Sequence, residues 1–340
     1  MERIKIAQLG VTHEHANGKI ATVRRMTDVF EVVGVYDDRP NPAPTHFNGM
    51  GPFEGCTFIS EEELLNYPGL QGVLVETPNT DLVPRALKCM EVGLPMHMDK
   101  PGGEDLALFK KLLDGCEAKQ LPFQMGYMFR GNPAMQHCRK LVEDGVLGNI
   151  FEIEMDMNHH YGGDSYQDYL GTFKGGIMFN LCCHLIDYIV AFMGAPEQIT
   201  PFLQNTPDVA PEIKNNCLSI LQYKNATVVL RACSKDGGYG RRLKINGTNG
   251  SIELTPIERF DNQPLHVKLW LVNEKPGFKK GQQTIEFPGR TDRYLEQMVE
   301  FAQMIRGEIE NPYSYAHDYL TQKVLLAASG YVAWDDIKDK

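Results

Sequence analysis

The residues best placed to do chemistry are Asp99-Lys100-Pro101, followed by Gly102-Gly103. A short apolar run, Leu94-Pro95-Met96-His97-Met98, precedes them and predicts a buried strand. The glycine pair lets the chain turn out, and Leu106, Leu108, Phe109, Leu112 and Leu113 then repeat at helical spacing. A lysine at the carboxyl end of a parallel strand stands where open α/β sheets bind ligands. The proline after it restricts Lys100 to extended backbone and raises the chance of a cis bond.

A second constellation is Gly175-Gly176, Asn180, His184 and Asp187. Spacing of four puts Asn180 and His184 on one face of a single predicted helix over 175–187, with Asp187 on the same side. A polar stripe is unexpected in so apolar a helix. The plain alternative is a buried histidine hydrogen-bonded to Asp187. A third group, His159, His160, Tyr161, Asp164 and Tyr166, forms a polar, aromatic stretch suited to a hydroxylated ligand or to an ordinary surface loop.

The elements that must position these groups follow a regular order. Ile4–Leu9 is a β-rich run ending at Gly10, a helical pattern runs through Ile20, Val23 and Met26, and Phe30–Tyr36 is a second strand ending in Asp37-Asp38. Strand, glycine turn, helix, strand, acid is the order of a dinucleotide-binding half. The helix amino terminus faces a pyrophosphate, and Asp37 is the acid for ribose hydroxyls. Of the three fingerprint glycines only Gly10 is present; Thr12 and His15 stand at the other two positions. His13 and His15 can donate to phosphates and so partly offset the lost glycines. A rival reading makes His13 and His15 a pair of metal ligands after a strand. It is disfavoured because no matching acid or histidine partners are evident at later strand ends, so no metal site is assigned. After a Pro/Gly-rich connection over 41–57, Ser60-Glu61-Glu62-Glu63 opens a helix with a capping box. Gly72–Val75 is a buried-type strand, and Thr77, Pro78 and Asn79 at its end are candidate cofactor contacts. The alternation predicts a parallel, doubly wound sheet over residues 1–126.

The pattern then changes. Phe151, Ile153, Met155 and Met157 alternate with Glu152, Glu154, Asp156 and Asn158, the period of a half-exposed strand. Further strands are predicted at 198–203, 216–222, 226–232, 241–246, 251–254, 266–272 and 282–287. Helices over about 291–306 and 315–333 close the chain, and they may be placed either here or against the first domain. Residues 127–340 therefore read as an α+β domain on a large, mostly antiparallel open sheet, whose polar face is either wet or covered by another subunit.

Bulk properties exclude several classes. A net charge of −10 argues against a nucleic-acid partner. No stretch approaches the roughly 18 apolar residues of a membrane span. Eight cysteines without a paired framework, and an amino terminus that runs straight into a strand, point to reduced thiols and a cytoplasmic protein.

In combination these motifs resemble the Gfo/Idh/MocA family, the glucose–fructose oxidoreductase and inositol dehydrogenase group. They are the glycine turn, the acid after strand two, acid-Lys-Pro, Tyr127-x-x-Arg130, and Gly-Gly-x-x-x-Asn180-x-x-x-His184. The resemblance spans essentially the whole chain. It implies a Rossmann domain followed by a substrate-binding and oligomerisation domain. It also implies an NAD(P)-dependent oxidoreductase acting on a sugar, cyclitol or related polyol. Lys100 matches the family's motif lysine. Asn180 and His184 match its acid-and-histidine helix pair, and Tyr127 and Arg130 match positions lining the cofactor–substrate cleft. By the same resemblance, the open sheet forms a homodimer or homotetramer contact. Three departures stand out: Asp99 for glutamate, Asn180 for aspartate, and the reduced glycine fingerprint.

In this reading Gly10, Thr12, His13, His15, Asp37, Thr77, Pro78, Asn79, Asp99, Lys100 and Tyr127 bind cofactor. Lys100, Arg130, His160, Tyr161, Asn180 and His184 bind substrate. Lys100 stabilises charge on the reacting oxygen, and His184, with an unperturbed pKa of about 6.5, is the general base. Asn180 orients the substrate, and Asp187 fixes the histidine tautomer. Asp37 would repel a 2′-phosphate, so NAD is expected, with NADP left open by Arg39. Two alternatives remain: a non-catalytic sensor of the same fold, and a metal-dependent hydrolase or isomerase using His13 and His15.

Overall fold

Four short apolar runs of the first half become strands buried on both faces, as a sheet covered by crossover helices requires. They are β1 (Ile4–Leu9), β3 (Gly72–Val75), β4 (Met96–Met98) and β5 (Phe123–Met125), and β2 (Phe30–Tyr36) joins them at the edge. The computed structural model describes residues 2–40, 51–238 and 240–339. Of the connection read over 41–57, residues 41–50 lie outside the described residues. The strands pair in parallel in the order β2-β1-β3-β4-β5. The order reverses at β1, so the carboxyl ends of β1 and β3 flank the switch point where such sheets take ligands. Helices Ala16–Arg25, Leu82–Val92 and Leu106–Ala118 cross between strands. The predicted capping box at Ser60 is present, with Glu63 N 3.2 Å from Ser60 Oγ. The Lys100–Pro101 peptide is cis.

The chain divides into two compact units. The first is Met1–Met128 together with Tyr294–Tyr319, and the second is Phe129–Arg293 together with Leu320–Lys340. The first domain thus extends two residues beyond the expected boundary and takes back the helix Leu295–Ile305. The reason is packing. Met298, Phe301 and Ala302 are buried in one core with Ile4, Ile6, Ile20, Val35 and Leu74. Met298 and Phe301 each contribute roughly 1.5–3 kcal/mol on full burial.

In the second unit the period-two pattern becomes an eight-stranded sheet. Its strands are β6 (Ile150–Met157), β7 (Gln198–Gln204), β8 (Asn216–Tyr223), β9 (Ala226–Cys233), β10 (Arg241–Gly247), β11 (Gly250–Leu254), β12 (Leu265–Leu271) and β13 (Gly281–Phe287). The order is β13-β12-β11-β10-β6-β9-β8-β7, and only the β6–β9 pair is parallel. Ile153, Met155, Met157, Leu243, Ile245, Val267 and Leu269 fill the buried face. The opposite face carries a charge ladder in which Arg242 bonds Asp156 at 2.9 Å and Glu154 at 2.6 Å.

The helix predicted over 175–187 is two helices, Gly176–Leu181 and Cys183–Met193. Cys182 between them has ψ −8°, a tightening that interrupts the regular ladder. Gly176 sits at φ +51°, where a Cβ would lie 2.0 Å from the Lys214 carbonyl oxygen, so no larger residue fits at this corner. Among the described residues no helix is long and apolar enough to cross a membrane. All eight cysteines are free thiols.

Candidate functional site

Gly10 closes β1 at φ +104°. A Cβ there would meet Thr77 Cγ2 at 2.6 Å and the Glu76 carbonyl at 2.7 Å, so the β1 turn and the end of β3 touch through a glycine. The acid reaching back to this turn is Asp38. Its carboxylate accepts from Val11 N at 2.9 Å and from the Thr12 hydroxyl. Asp37, the acid chosen from the sequence, is instead held by Arg39, with Nε 2.8 Å from Oδ1, and this bond lowers its pKa. The two acids are adjacent in sequence, yet one is held by Arg39 and the other by the glycine turn.

Behind the turn lies a buried ionic cluster at the strand ends. Lys19, wholly buried on the helix Ala16–Arg25, places Nζ 2.8 Å from Asp99 Oδ2 and 3.1 Å from Glu76 Oε1. It also bonds His97 Nε2. His97 Nδ1 lies 2.7 Å from Gln124 Oε1, and Gln124 donates to Glu300 at 2.6 Å. Asp99 accepts from Lys100 N at 2.7 Å and faces His15 Nδ1 at 3.1 Å. Lys100 itself is buried, with Nζ 2.8 Å from Glu14 Oε1. Burial opposes every charge here, and the partners decide the outcome. Asp99 is held well below the usual carboxylate range by His13, Lys19 and His15 against its burial. Lys19 is raised, because Asp99 and Glu76 outweigh its desolvation. Burial pushes Glu76 well up, since Asp99 already takes the charge. Burial lowers His13 to about 4, which leaves it a neutral imidazole.

Of the sequence-derived cofactor residues, Gly10, Thr12, His13, His15, Thr77, Asn79, Asp99 and Lys100 gather at the carboxyl edge of the parallel sheet, and Pro78 there is exposed. Tyr127 is buried after β5 and its carbonyl accepts from Gln297 at 2.9 Å. Glu14, Lys19, Asp38, Glu76 and His97 were not singled out. Glu76 had a signal: an acid directly after the run Val73-Leu74-Val75. Lys19 had none, because a lysine on an amphipathic helix reads as solvated.

In the second unit Asn180 and His184 are both wholly buried. Asn180 Nδ2 donates to the Tyr166 hydroxyl at 3.2 Å, and the His184 ring lies 5.8 Å from that of Phe129. Asp187 is buried as well. It forms a buried two-pronged pair with Arg130, Nη2 to Oδ1 at 2.6 Å and Nε to Oδ2 at 3.1 Å. Planar guanidinium and carboxylate match as a fork. Arg130, expected to line a cleft, is the partner in this pair. A cavity of about 310 Å³ opens among His159, His160, Tyr161, Arg241, Glu258 and Arg293. Tyr161 stacks on His159 with ring centroids 3.6 Å apart, and both Arg241 and Arg293 pair with Glu258.

One unit is built on a parallel sheet with a glycine turn at its switch point and the other on a large, mostly antiparallel open sheet, a two-domain α/β plus α+β class. Residues 135–253 match the family model described as the GFO/IDH/MocA C-terminal domain. Over those residues the chain is similar to the Gfo/Idh/MocA family. It is 25% identical over 198 residues to the uncharacterised oxidoreductase YdgJ of Escherichia coli (strain K12), covering 57% of each chain. It is 22% identical over 192 residues to the scyllo-inositol 2-dehydrogenase (NADP(+)) IolW of Bacillus subtilis, covering 56% of this chain and 53% of that protein. These matches span little more than half the length of either relative. The fold is that of an NAD binding oxidoreductase from Klebsiella pneumoniae, with TM-score 0.77, 15% identity and 96% of both chains covered.

The residues fit a dinucleotide at two points. Gly10 allows close backbone approach, and the Asp37-Asp38 pair offers acids at the end of β2. Two donors of the turn, Val11 N and Thr12 Oγ1, are committed to Asp38, where a full glycine fingerprint would direct its turn at phosphate.

Proposed function

We propose that the protein is an NAD(P)-dependent oxidoreductase acting on a carbinol carbon of a sugar, cyclitol or related polyol. The observation that carries this reading is Lys100, a wholly buried ammonium at the carboxyl end of β4, beside a glycine turn that admits close backbone approach. The bound nicotinamide would supply hydride acceptance and donation. The protein supplies binding and charge. Gly10, Thr12, Thr77 and Asn79 hold the dinucleotide, and the acids at the end of β2 hold its ribose. Asp37 favours NAD, while its pairing with Arg39 keeps NADP within reach.

Lys100 donates to the reacting oxygen and stabilises its developing negative charge. Glu14 at 2.8 Å pairs with that side chain and aims it. In the second unit, Asn180, fixed by Tyr166, orients a hydroxyl, and His184 takes the proton. His160 and Tyr161, exposed at the mouth of the second unit's cavity, contact the rest of the substrate.

The open face of the large sheet exposes Phe202 beside half-buried Leu218, Ile220 and Val229, with Trp270 exposed on β12, four strands from β9, which favours a second copy of the chain as its partner. A monomeric mass by light scattering at micromolar concentration would remove that assignment.

The test of function is formation of reduced nicotinamide across a panel of polyols with wild type and Lys100→Met. Turnover that survives the substitution would refute the role of Lys100. Tight NAD binding without turnover on any polyol would favour a sensor of the same fold. The commitment of Val11 N and Thr12 to Asp38 is the observation on that side.

A further inference from the structure

The second unit holds an ionic group whose charges do not cancel. Strands β6, β10 and β11 are neighbours in the large sheet, and β10 begins at the end of the sheet where β6 and β11 finish. Three segments meet there: 158–161 after β6, 240–241 entering β10, and 256–260 after β11. Residues of these segments and Arg293 line the cavity of about 310 Å³. Gly240 permits the close approach, since a Cβ there would lie 2.2 Å from Asn158 Cβ. Arg241 Nη1 and Arg293 Nη2 both reach Glu258 through the same oxygen, Oε1, the second at 3.5 Å. Two guanidiniums sharing one carboxylate leave one positive charge among the three. Glu258 keeps only 5% of its side-chain surface exposed and Arg241 18%, so solvent ions screen that charge less than at an open surface.

The cavity wall carries a second, uncharged signal. Asn158 is 3% exposed, and its Nδ2 donates to Asp236 Oδ2 at 3.0 Å. That bond uses one end of the amide. The other end, Oδ1, is buried without a hydrogen-bond partner among the described residues. Asn158 lines the cavity, where a ligand hydroxyl can supply the missing donor. Tyr161, half-exposed and stacked on His159, adds apolar ring surface, as does Phe260, which lies under the Arg293 guanidinium at 4.4 Å. Arg241 Nη2 is 3.5 Å from the Tyr161 hydroxyl, so charge and ring stand side by side.

We propose that this cavity binds a monosaccharide carrying one carboxylate, a uronic acid by class. Small-molecule sites run from roughly 300 to 1,000 Å³, and a cavity at the small end suits a single sugar ring. The charge selects the anion. A phosphate monoester brings about −1.5 to −2 at neutral pH, whereas a carboxylate brings the one negative charge that the uncancelled guanidinium matches. A planar carboxylate also meets the guanidinium fork with two parallel bonds. Asn158 Oδ1 accepts from a ring hydroxyl, and the rings of Tyr161 and Phe260 pack on the sugar's C–H face. If the protein oxidises a polyol, as proposed above, that acid is its substrate; the cavity binds it whether or not turnover follows. The site lies wholly within the second unit.

Calorimetry on the full chain, without nicotinamide and again with NADH, compares glucuronate, galacturonate and mannuronate with their neutral parent sugars and with glucose 6-phosphate. At least one acid should bind roughly tenfold more tightly than its parent, the worth of a charge-assisted pair. Arg241→Met should bring that ratio below about threefold. Retention of far-ultraviolet circular dichroism would show that the variant folds. If it does not, Arg241→Lys, which keeps a charge beside Glu258 and loses the fork, should lower the ratio at least about threefold. If neither folds, the wild-type panel decides alone. A best ratio under about threefold in the wild type would overturn the proposal. So would tighter binding of glucose 6-phosphate than of every acid, or an unchanged ratio in a folded variant. Turnover is read separately. An acid that binds but never reduces NAD or NADP counts against the oxidoreductase reading alone. Turnover of neutral polyols with no preference for the acids in binding counts against this proposal alone.

Discussion

Arg130→Met is expected to destabilise the second unit severely. Both partners of the Arg130–Asp187 pair keep only 2% of their side-chain surface exposed, and three contacts of 2.6–3.2 Å join them. Truncating the guanidinium leaves a carboxylate buried without its main partner. Breaking a buried pair in this way costs roughly 3–5 kcal/mol, because the survivor's desolvation is no longer offset. At about 2–4 °C per kcal/mol for a unit of 150–250 residues, the melting temperature should fall by roughly 6–20 °C. Trp270 and Trp334 both belong to the second unit, so intrinsic fluorescence reads the affected part directly. The double variant Arg130→Met/Asp187→Leu removes the stranded charge as well and should recover most of the loss. A shift below about 2 °C in the single variant would show that Asp187 has another sufficient partner. A double variant no better than the single would show that the cost is cavity and not charge. Either result would refute the reasoning, and the first would restore His184 as the group Asp187 serves.

Three further outcomes are expected. Gly10→Ala must place a Cβ 2.6–2.7 Å from Thr77 and Glu76 at a positive φ, so it should cost at least about 2 kcal/mol and weaken dinucleotide binding; urea denaturation and nicotinamide titration check it. Lys19→Met strands the buried Asp99 and should cost roughly 3–5 kcal/mol by urea denaturation followed by circular dichroism, and a loss under about 1 kcal/mol would contradict the ion-pair assignment. Thiol titration of the native chain should find Cys56 reacting first, since it alone is half-buried. Burial pushes Cys89 and Cys116 up to about 12 and keeps them protonated at neutral pH, so rapid labelling of several thiols would argue against this core.

Much of the architecture was legible because burial leaves a periodic trace. Continuous apolar runs marked the parallel strands, and alternation marked the strands of the large sheet to within a residue or two. The boundary between the units was less legible. Whether the helix Leu295–Ile305 returns to the first unit depends on Phe301 meeting Ile4 and Leu74, a contact across hundreds of residues that no local pattern encodes.

At the sites, the sequence by itself determined which chemistry was available and roughly where. It placed Lys100 at a strand's carboxyl end, Gly10 at the turn, and Asn180 and His184 near each other. Chain order and residue type suffice for that, because strand ends and helix spacing are local properties. Only the tertiary structure decided partners. It gave Asp187 to Arg130, Asp38 to the glycine turn, and Lys19, Glu76 and Asp99 to one another. The physical reason is that a buried charge must find its counter-charge, and the fold brings that partner from a distant strand. Pairing is therefore settled by three-dimensional competition among several acids and bases, each of which, read alone, has more than one suitable mate.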